Sequence, residues 1–507
     1  MTASLRTLLR GSTIYAAGTM LARFGGFLLL PFYLQVLEPE EYGIVALVIS
    51  IVAFLTILYR VGLDGALMRL HFDLDEAQRP GLYRSLMAVT LAISAVGSLL
   101  LAVGVGPFFE AIFHAPFVPF GVLALAITFV NSADYVPSVL YRATQQPARF
   151  LTFNLSSFAI SSAISISLVA AGAGAEGLLV GQLVGGAIML AVVLVIVLRL
   201  PGPLWMPSSL RPALRFGLPI VPHQISTWTT RLSDRWLLGF LLVLPTAQER
   251  LAMIGVYQLG YQLGSVVTML ATSFNAAWTP FLYRVGESPA GPTVFRHMFT
   301  LTSAGFLWIA LALGAFAPEI IAVIARPGYE MAADVLPVVA IGSAFQAMYT
   351  MLVGVIFLRR RTAYLPIITV VSAAINIALN LLLIPLFGIM GAAWTTLIAY
   401  ALFAILTWQF ARMVYPLSLD YPRVAVAIVV AVAGIVLARL VDGSADDVVA
   451  AGVRHGAIVG FAALGFVALV RRPVRELRAA TAGVGEDDAE ALPSDRSDTS
   501  PATRPAR

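Results

Sequence analysis

The chain is built from long apolar runs of about 20 residues, the length that carries an α-helix across a bilayer. Short polar stretches separate them. The pattern predicts fourteen spanning helices, at 12–37, 42–62, 84–106, 117–139, 150–172, 177–199, 214–243, 253–282, 296–318, 334–357, 364–387, 391–412, 422–441 and 449–470. With the N-terminus inside, alternate loops collect nearly all the basic residues, from Arg6 and Arg10 through Arg359, Arg360 and Arg361 to Arg471, Arg472, Arg475 and Arg478. Only Arg250, Arg326, Arg439 and Arg454 fall on the other side. That asymmetry orients the chain by the positive-inside rule, with both termini cytoplasmic. The outer loops are short and hold no separate domain.

Three arginines break the apolar runs: Arg23 in the first helix, and Arg231 and Arg235 in the seventh. Arg23 lies about 20 Å from Arg10 at a rise of ~1.5 Å per residue, deep in the hydrocarbon. A charge there costs on the order of 2.5–3.5 kcal/mol on insertion scales, and such residues face a bundle interior or a wet cavity. The first helix holds no acid to pair with Arg23.

Composition agrees with the pattern: 59% of the 507 residues are hydrophobic and 12% charged. A soluble globular chain carries about 25% charged residues. The sequence contains neither lysine nor cysteine. Walker-type phosphate loops, lysine Schiff bases, disulfides and thiolate metal sites are therefore excluded. The five histidines (His71, His114, His223, His297 and His455) form no ligand-spaced pair. The net charge of +5 follows from the loop arginines and calls for no nucleic-acid partner.

The chain also repeats itself. At an offset of 214, Gly174 and Gly177 fall on Gly388 and Gly391, and Leu183 on Leu397. Earlier in each half, Leu9-Arg10 matches Leu214-Arg215, and Glu41-Tyr42-Gly43 matches Met253-Ile254-Gly255. Six helices per unit return the chain to the same side, so the repeats are parallel. The predicted fold is all-α integral membrane, with two six-helix lobes plus two C-terminal helices. The N-lobe is 1–200, a proline-rich cytoplasmic linker 201–212, the C-lobe 213–415, helices 13 and 14 cover 416–472, and a disordered cytoplasmic tail is expected over 473–507.

Two such lobes are the architecture of an alternating-access transporter, with its site between them. The seam candidates are Arg23 from helix 1, Asn131 and Asp134 from helix 4, and His223, Arg231, Asp234 and Arg235 from helix 7. Helix 8 adds Tyr257, Gln258, Tyr261, Gln262 and Asn275, and helix 11 adds Asn376 and Asn380. Each has a plainer reading. Asp234 neutralises one of its neighbouring arginines, Asp134 pairs with Arg142 two turns away, His223 beside Pro222 is structural, and Asn376 and Asn380 bond between helices. Arg23, Arg231 and Arg235 against Asp234 leave an excess of positive charge, and guanidinium forks suit phosphate oxygens.

The ordered stretches LARFGGF, LEPEEYGIVAL, FGLPIVPHQIS, SDRWLLGF, IGVYQLGYQLG, FNAAWTPF and NIALNLLLIPLFGIMGAAWTT span roughly residues 8–470. Together they resemble the polysaccharide transporter branch of the multidrug/oligosaccharidyl-lipid/polysaccharide exporter superfamily, which includes O-antigen-type flippases. Lipid II flippases of that superfamily carry an arginine before the Gly-Phe of helix 1, matched by Arg23, and one at the end of helix 2, matched by Arg60. Their second helix-1 arginine is Leu29 here, which turns the resemblance away from lipid II. Multidrug extruders use an acid in helix 1, and this helix has none.

The resemblance implies a flippase, not an enzyme, in a bacterial inner membrane. Its substrate would be a polyprenyl-pyrophosphate-linked oligosaccharide, with membrane lipids and other polysaccharide-assembly proteins as partners. Arg23, Arg60, Arg231 and Arg235 would hold the pyrophosphate in a central cavity. Asp234, Asp134, Gln258, Gln262 and Asn275 would support it or couple it to a proton or sodium gradient, and no cofactor or metal is expected. A cation-coupled multidrug antiporter and a lipid II flippase are the alternatives.

Overall fold

The computed structural model describes residues 25–361, 364–442 and 448–490. Arg23 lies outside them. Among the described residues every regular element is a helix. In chain order these are α1 (Gly25–Val36), α2 (Pro39–Arg60), α3 (Leu63–Asp73), α4 (Arg79–Gly104), α5 (Phe109–Phe113), α6 (Val122–Asn131), α7 (Tyr135–Ala143), α8 (Pro147–Ala170) and α9 (Gly174–Leu198). The second half holds α10 (Leu210–Gly217), α11 (Val221–Leu241), α12 (Ala247–Gly264), α13 (Val266–Val285), α14 (Gly291–Ala315), α15 (Ala317–Ile324), α16 (Ala332–Leu358), α17 (Tyr364–Phe387), α18 (Ile389–Val414), α19 (Tyr421–Asp442) and α20 (Val448–Glu490).

Among the described residues, eleven helices are long and apolar enough to cross a membrane. The three other predicted spans fall on segments of a different kind. The first is described only from Gly25 onward. The seventh is α11, whose Arg231, Asp234 and Arg235 lower its hydropathy. The eighth, predicted as one helix over 253–282, divides at Ser265 into α12 and α13. The fourth is also divided, into α6 and α7 at Ser132–Asp134. The chain is a multi-pass membrane protein.

The tail departs from the expectation of disorder from 473 onward: α20 runs to Glu490. Pro473 is buried, Arg472 Nε bonds to Glu476 Oε1 at 2.6 Å one turn on, and Glu476 reaches His297 of α14 at 3.1 Å. The i,i+4 pair and the docking onto α14 carry the helix past the last apolar run.

Helix α2 is the seam between the halves. It starts sharply: Pro39 occupies the first turn, Glu40 and Glu41 face the positive end of the helix dipole, and the Glu41 carboxylate accepts from the Glu38 amide at 3.0 Å. It ends where Val61 and Gly62 turn left-handed at φ 49° and 71°. Along its length it packs on α11 and α12 of the second half. Near its start Gly43 meets the α12 backbone, and a Cβ there would lie 1.8 Å from Leu251 O. In the middle, Ser50 accepts from Trp228 Nε1 through its carbonyl at 3.1 Å and from Trp236 Nε1 through its hydroxyl at 2.8 Å. Past its end, a Cβ on Gly62 would lie 2.5 Å from Gly217 O.

Two further contacts fix the frame. The 325–331 loop of the second half clamps the α1–α2 corner: Arg326 Nη2 pairs with Glu38 at 2.7 Å, and buried Tyr329 donates to Leu37 O at 3.2 Å. At the opposite end, the buried Arg84 guanidinium on α4 donates to the carbonyls of Val197 (3.3 Å), Leu198 (2.9 Å), Leu200, Gly202 (2.8 Å) and Pro203 (2.8 Å). It thereby satisfies the exposed carbonyl end of α9 and the chain that follows. The Met206 amide then donates to Ser85 Oγ at 2.7 Å.

Candidate functional site

A polar cavity of about 580 Å³ lies beside α2. Its walls come from α1, α2, the α6–α7 break, α8 and α9, and it is closed on the other side by Gln258 and Gln262 of α12. Both halves of the chain therefore line it. Of the residues picked out in the sequence, Arg60, Asp134, Gln258 and Gln262 face this space, together with Asn131. Leu29, the position where the resemblance lacks its second arginine, lines it as well.

Arg60 stands at the end of α2, where the break between α6 and α7 frees backbone carbonyls. Its Nη2 donates to Asn131 O at 2.7 Å, its Nε to Ser132 O at 3.1 Å, and it forms an ion pair with Asp134. The guanidinium also lies 5.4 Å from the Tyr135 ring centre. So the partner of Asp134 is Arg60, not Arg142, whose Nε bonds to Ser138 O at 3.2 Å. The helix break is the reason, because it turns Asp134 towards α2. The two opposite charges on the cavity wall thus neutralise each other.

The polar residues of α11 separate by direction. Arg235 is buried behind the wall: Nε and Nη2 donate to Gln258 Oε1 at 2.9 and 2.7 Å, Nη1 donates to Arg231 O at 2.7 Å, and the plane covers Tyr261 at 4.1 Å. Gln258 in turn donates to Gln262 Oε1 at 3.3 Å, which also accepts from Tyr42 Oη of α2 at 2.8 Å. A hydrogen-bonded chain therefore joins buried Arg235 to the cavity wall. Arg231 is exposed, and its guanidinium has no hydrogen bond or ion pair with any described residue. Neither arginine lines the cavity.

Asp234 points the opposite way, into the second half. It is fully buried and accepts from Tyr257 Oη at 2.6 Å, Asn380 Nδ2 at 2.9 Å and Thr396 Oγ1 at 3.1 Å. It forms no ion pair with Arg231 or Arg235, contrary to the neutralising role read from sequence. A step of three residues turns it some 60° from Arg231 (at ~100° per residue), enough to aim it between α17 and α18. Beside it the side-chain oxygen of Asn380 and the amide nitrogen of Asn376 are buried without a partner among the described residues. Uncharged donors alone hold this carboxylate, an environment that suits a proton or a small hard cation. No group of three or more His, Cys, Asp or Glu able to hold a metal occurs among the described residues. Asn275 lies on α13 against α14 and α16, away from the cavity. His223 bonds to Thr369 at 3.1 Å, the structural reading.

The sequence reading missed a wall of α8. Asn154, Ser157, Ser161, Ser162 and Ser165 face the cavity, with Gln182 of α9 beside them. The signal was present, since their spacing of 3, 4, 1 and 3 draws one stripe down a helix whose remaining residues are mostly apolar. It was overlooked because charge, not hydroxyl content, guided the choice.

Comparison with known proteins follows this geometry. The family model described as polysaccharide biosynthesis protein matches residues 35–324. The probable flippase AglR of Haloferax volcanii is 23% identical over 421 residues, covering 79% of this chain and 82% of that one. In fold, the chain is similar to lipid II flippase MurJ in an inward closed conformation, with a TM-score of 0.68 at 13% identity over 91% of this chain and 99% of that one. It is also similar to an inward-facing multidrug resistance MATE transporter of the MOP superfamily, with a TM-score of 0.53 at 14% identity over 82% and 95%. The chain belongs to the polysaccharide biosynthesis protein family, with the fold shared by these lipid II flippase and MATE structures.

Proposed function

We propose that this protein is an alternating-access flippase that carries a polyprenyl-pyrophosphate-linked oligosaccharide from the cytoplasmic to the outer leaflet of a bacterial inner membrane. The observation that carries the reading is the polar cavity walled by both halves of a membrane bundle. A drug antiporter's cationic cargo would want unpaired acid on that wall, and the one acid among its described residues, Asp134, is already paired with Arg60. The name of the relative AglR, a probable flippase, and the fold shared with a lipid II flippase support the same reading.

In this reading the chain has fourteen spans, two six-helix lobes and both termini in the cytoplasm. Arg231, whose guanidinium has no hydrogen-bond or ion-pair partner among the described residues, and Arg23 engage the pyrophosphate. Arg60 contributes when its pair with Asp134 opens, and Arg235 acts from behind through Gln258. Asp234 is the coupling group, gaining and losing a proton or a sodium ion as the lobes rock. The prenyl tail stays in lipid.

The test is transport of a lipid-linked oligosaccharide across proteoliposomes by purified protein. Wild type is expected to move it, and Arg23→Ala and Arg231→Ala to slow it at least about tenfold, the effect of about 1.4 kcal/mol. Purified wild type that moves nothing sinks the flippase reading. Variants as fast as wild type sink the arginine cradle alone.

A further inference from the structure

We infer that the α8 stripe, with Gln182 of α9, is the wall that reads the sugar of the cargo, and that it takes neutral hexose or N-acetylhexosamine units. This rests on the flippase reading above and deepens it. Arg60 and Asp134 neutralise each other at one end of the cavity. The facing wall is uncharged: Asn154, Ser157 and Ser162 on α8 and Gln182 on α9.

Asn154 Nδ2 donates to Phe150 O at 2.8 Å, and the other three groups are available. Ser157, Ser162 and Gln182 have no hydrogen-bond partner among the described residues, yet they are not sealed inside the protein. A serine in a membrane helix ordinarily turns its hydroxyl back to the carbonyl one turn earlier. Ser167, on the outer face of the same helix, does so to Ala163 O at 2.8 Å. Hydroxyls and side-chain amides both donate and accept. They match a ring of sugar hydroxyls, where an arginine could only donate. Phe158 lines the same wall and offers a flat surface to the C–H face of a pyranose.

The plainer explanation is that these serines are small residues for close helix packing. It holds for two of the stripe. Ser161 and Ser165 lie so close to Gly185 and Gly181 that a Cβ on either glycine would sit 2.6 and 2.5 Å from the serine Cα, and Ser165 Oγ donates to Leu178 O at 2.8 Å. Ser157, Ser162 and Gln182 line the cavity, and none of them is among the nearest neighbours of a described glycine. The repeat sharpens the contrast. At the offset of 214, Ser162 and Gln182 correspond to Asn376 and Thr396, the residues gathered around Asp234. At the offset of 205 set by Arg10 and Arg215, Asp234 corresponds to Leu29. Where the second half closes on a carboxylate, the first half leaves the equivalent polar groups open.

The experiment measures binding of two probes to the full chain in nanodiscs: farnesyl pyrophosphate, and farnesyl pyrophosphate bearing a neutral disaccharide drawn from a panel of hexoses and N-acetylhexosamines. Wild type is expected to bind at least one sugar-bearing probe about tenfold more tightly than the bare one, the gain from a few neutral hydrogen bonds. The triple variant Ser157→Ala, Ser162→Ala and Gln182→Ala is expected to bind both alike and to keep its affinity for the bare probe. Ser167→Ala is expected to behave as wild type. If the triple variant does not fold, Ser162→Ala alone carries the comparison, with a loss of about threefold. A wild type without preference for any sugar, or a variant that keeps it, overturns the inference. A wild type that ignores farnesyl pyrophosphate but binds the sugar-bearing probe through these residues upholds the wall while refuting the pyrophosphate cradle.

Discussion

Gly43 and Gly255 occupy corresponding positions in the two halves, and each rests against the backbone of the other's helix. A Cβ on Gly43 would lie 1.8 Å from Leu251 O, and one on Gly255 would lie 2.0 Å from Pro39 O. The duplicated residue is thus its own partner across the seam. Backbone cannot step aside as a flexible side chain can, so even one methyl group forces α2 and α12 apart. Gly43→Ala and Gly255→Ala are each expected to destabilise the closed arrangement by about 1–3 kcal/mol, seen as a lower thermal midpoint in detergent.

The same closure can be read with thiols, because the chain has no cysteine to remove first. Glu38→Cys with Arg326→Cys replaces the ion pair that clamps the α1–α2 corner. A short bifunctional thiol reagent is expected to link the two positions in high yield and to stop transport. Adding Gly43→Ala to that pair is expected to lower the yield. An unchanged yield would show that the glycine contact does not govern this end.

The α11 arginines should separate stability from transport. Arg231→Ala removes a guanidinium with no hydrogen-bond or ion-pair partner among the described residues and is expected to leave stability within about 0.5 kcal/mol. Arg235→Ala strips Gln258 of its donor and uncovers Tyr261. Its expected cost is about 1–3 kcal/mol, since it removes two hydrogen bonds to part-buried Gln258 and the one to Arg231 O. Chemical denaturation or thermal melts of the two variants side by side check this.

Arg60 and Asp134 invite a double-mutant cycle. The pair is part-exposed, so its coupling is expected at about 1 kcal/mol rather than the larger figure of a sealed pair. Arg60→Ala alone is expected to cost more than Asp134→Ala, because it also abandons the Asn131 and Ser132 carbonyls. Arg60→Lys should not restore them, since one ammonium lacks the fork that spans three acceptors.

Asp234→Asn keeps the shape but turns an acceptor of three hydrogen bonds into a group that must also donate. The expectation is a loss of about 1–3 kcal/mol and transport that no longer responds to a proton or sodium gradient. Gradient-dependent transport by Asp234→Asn would remove Asp234 from the coupling role.

What could be read from the sequence divides along physical lines. Apolar runs of bilayer length announce themselves, and so did the repeat that pairs Gly43 with Gly255. Helix breaks were missed although the sequence marks them: Pro137 removes the amide that would bond to Ala133 O, and Gly264 stands just before Ser265. Direction was the other blind spot. Asp234 and Arg231 sit three positions apart, and a fraction of a turn sends one into the second half while leaving the other exposed. Asn275 looked like a seam residue only because α12 and α13 read as one helix. The α8 stripe was legible as a period but carried no charge to draw the eye.

Arg84 has a consequence for how the halves can move. By fastening Val197 to Pro203 onto α4, with Met206 pinned to Ser85, it makes the first part of the connection a fixture of the first half. Any swing of one half against the other must then be absorbed between 207 and 220. That short stretch contains Gly217, already pressed against Gly62. In the proposed rocking cycle the connection would work as a pivot with a fixed bearing and not as a leash.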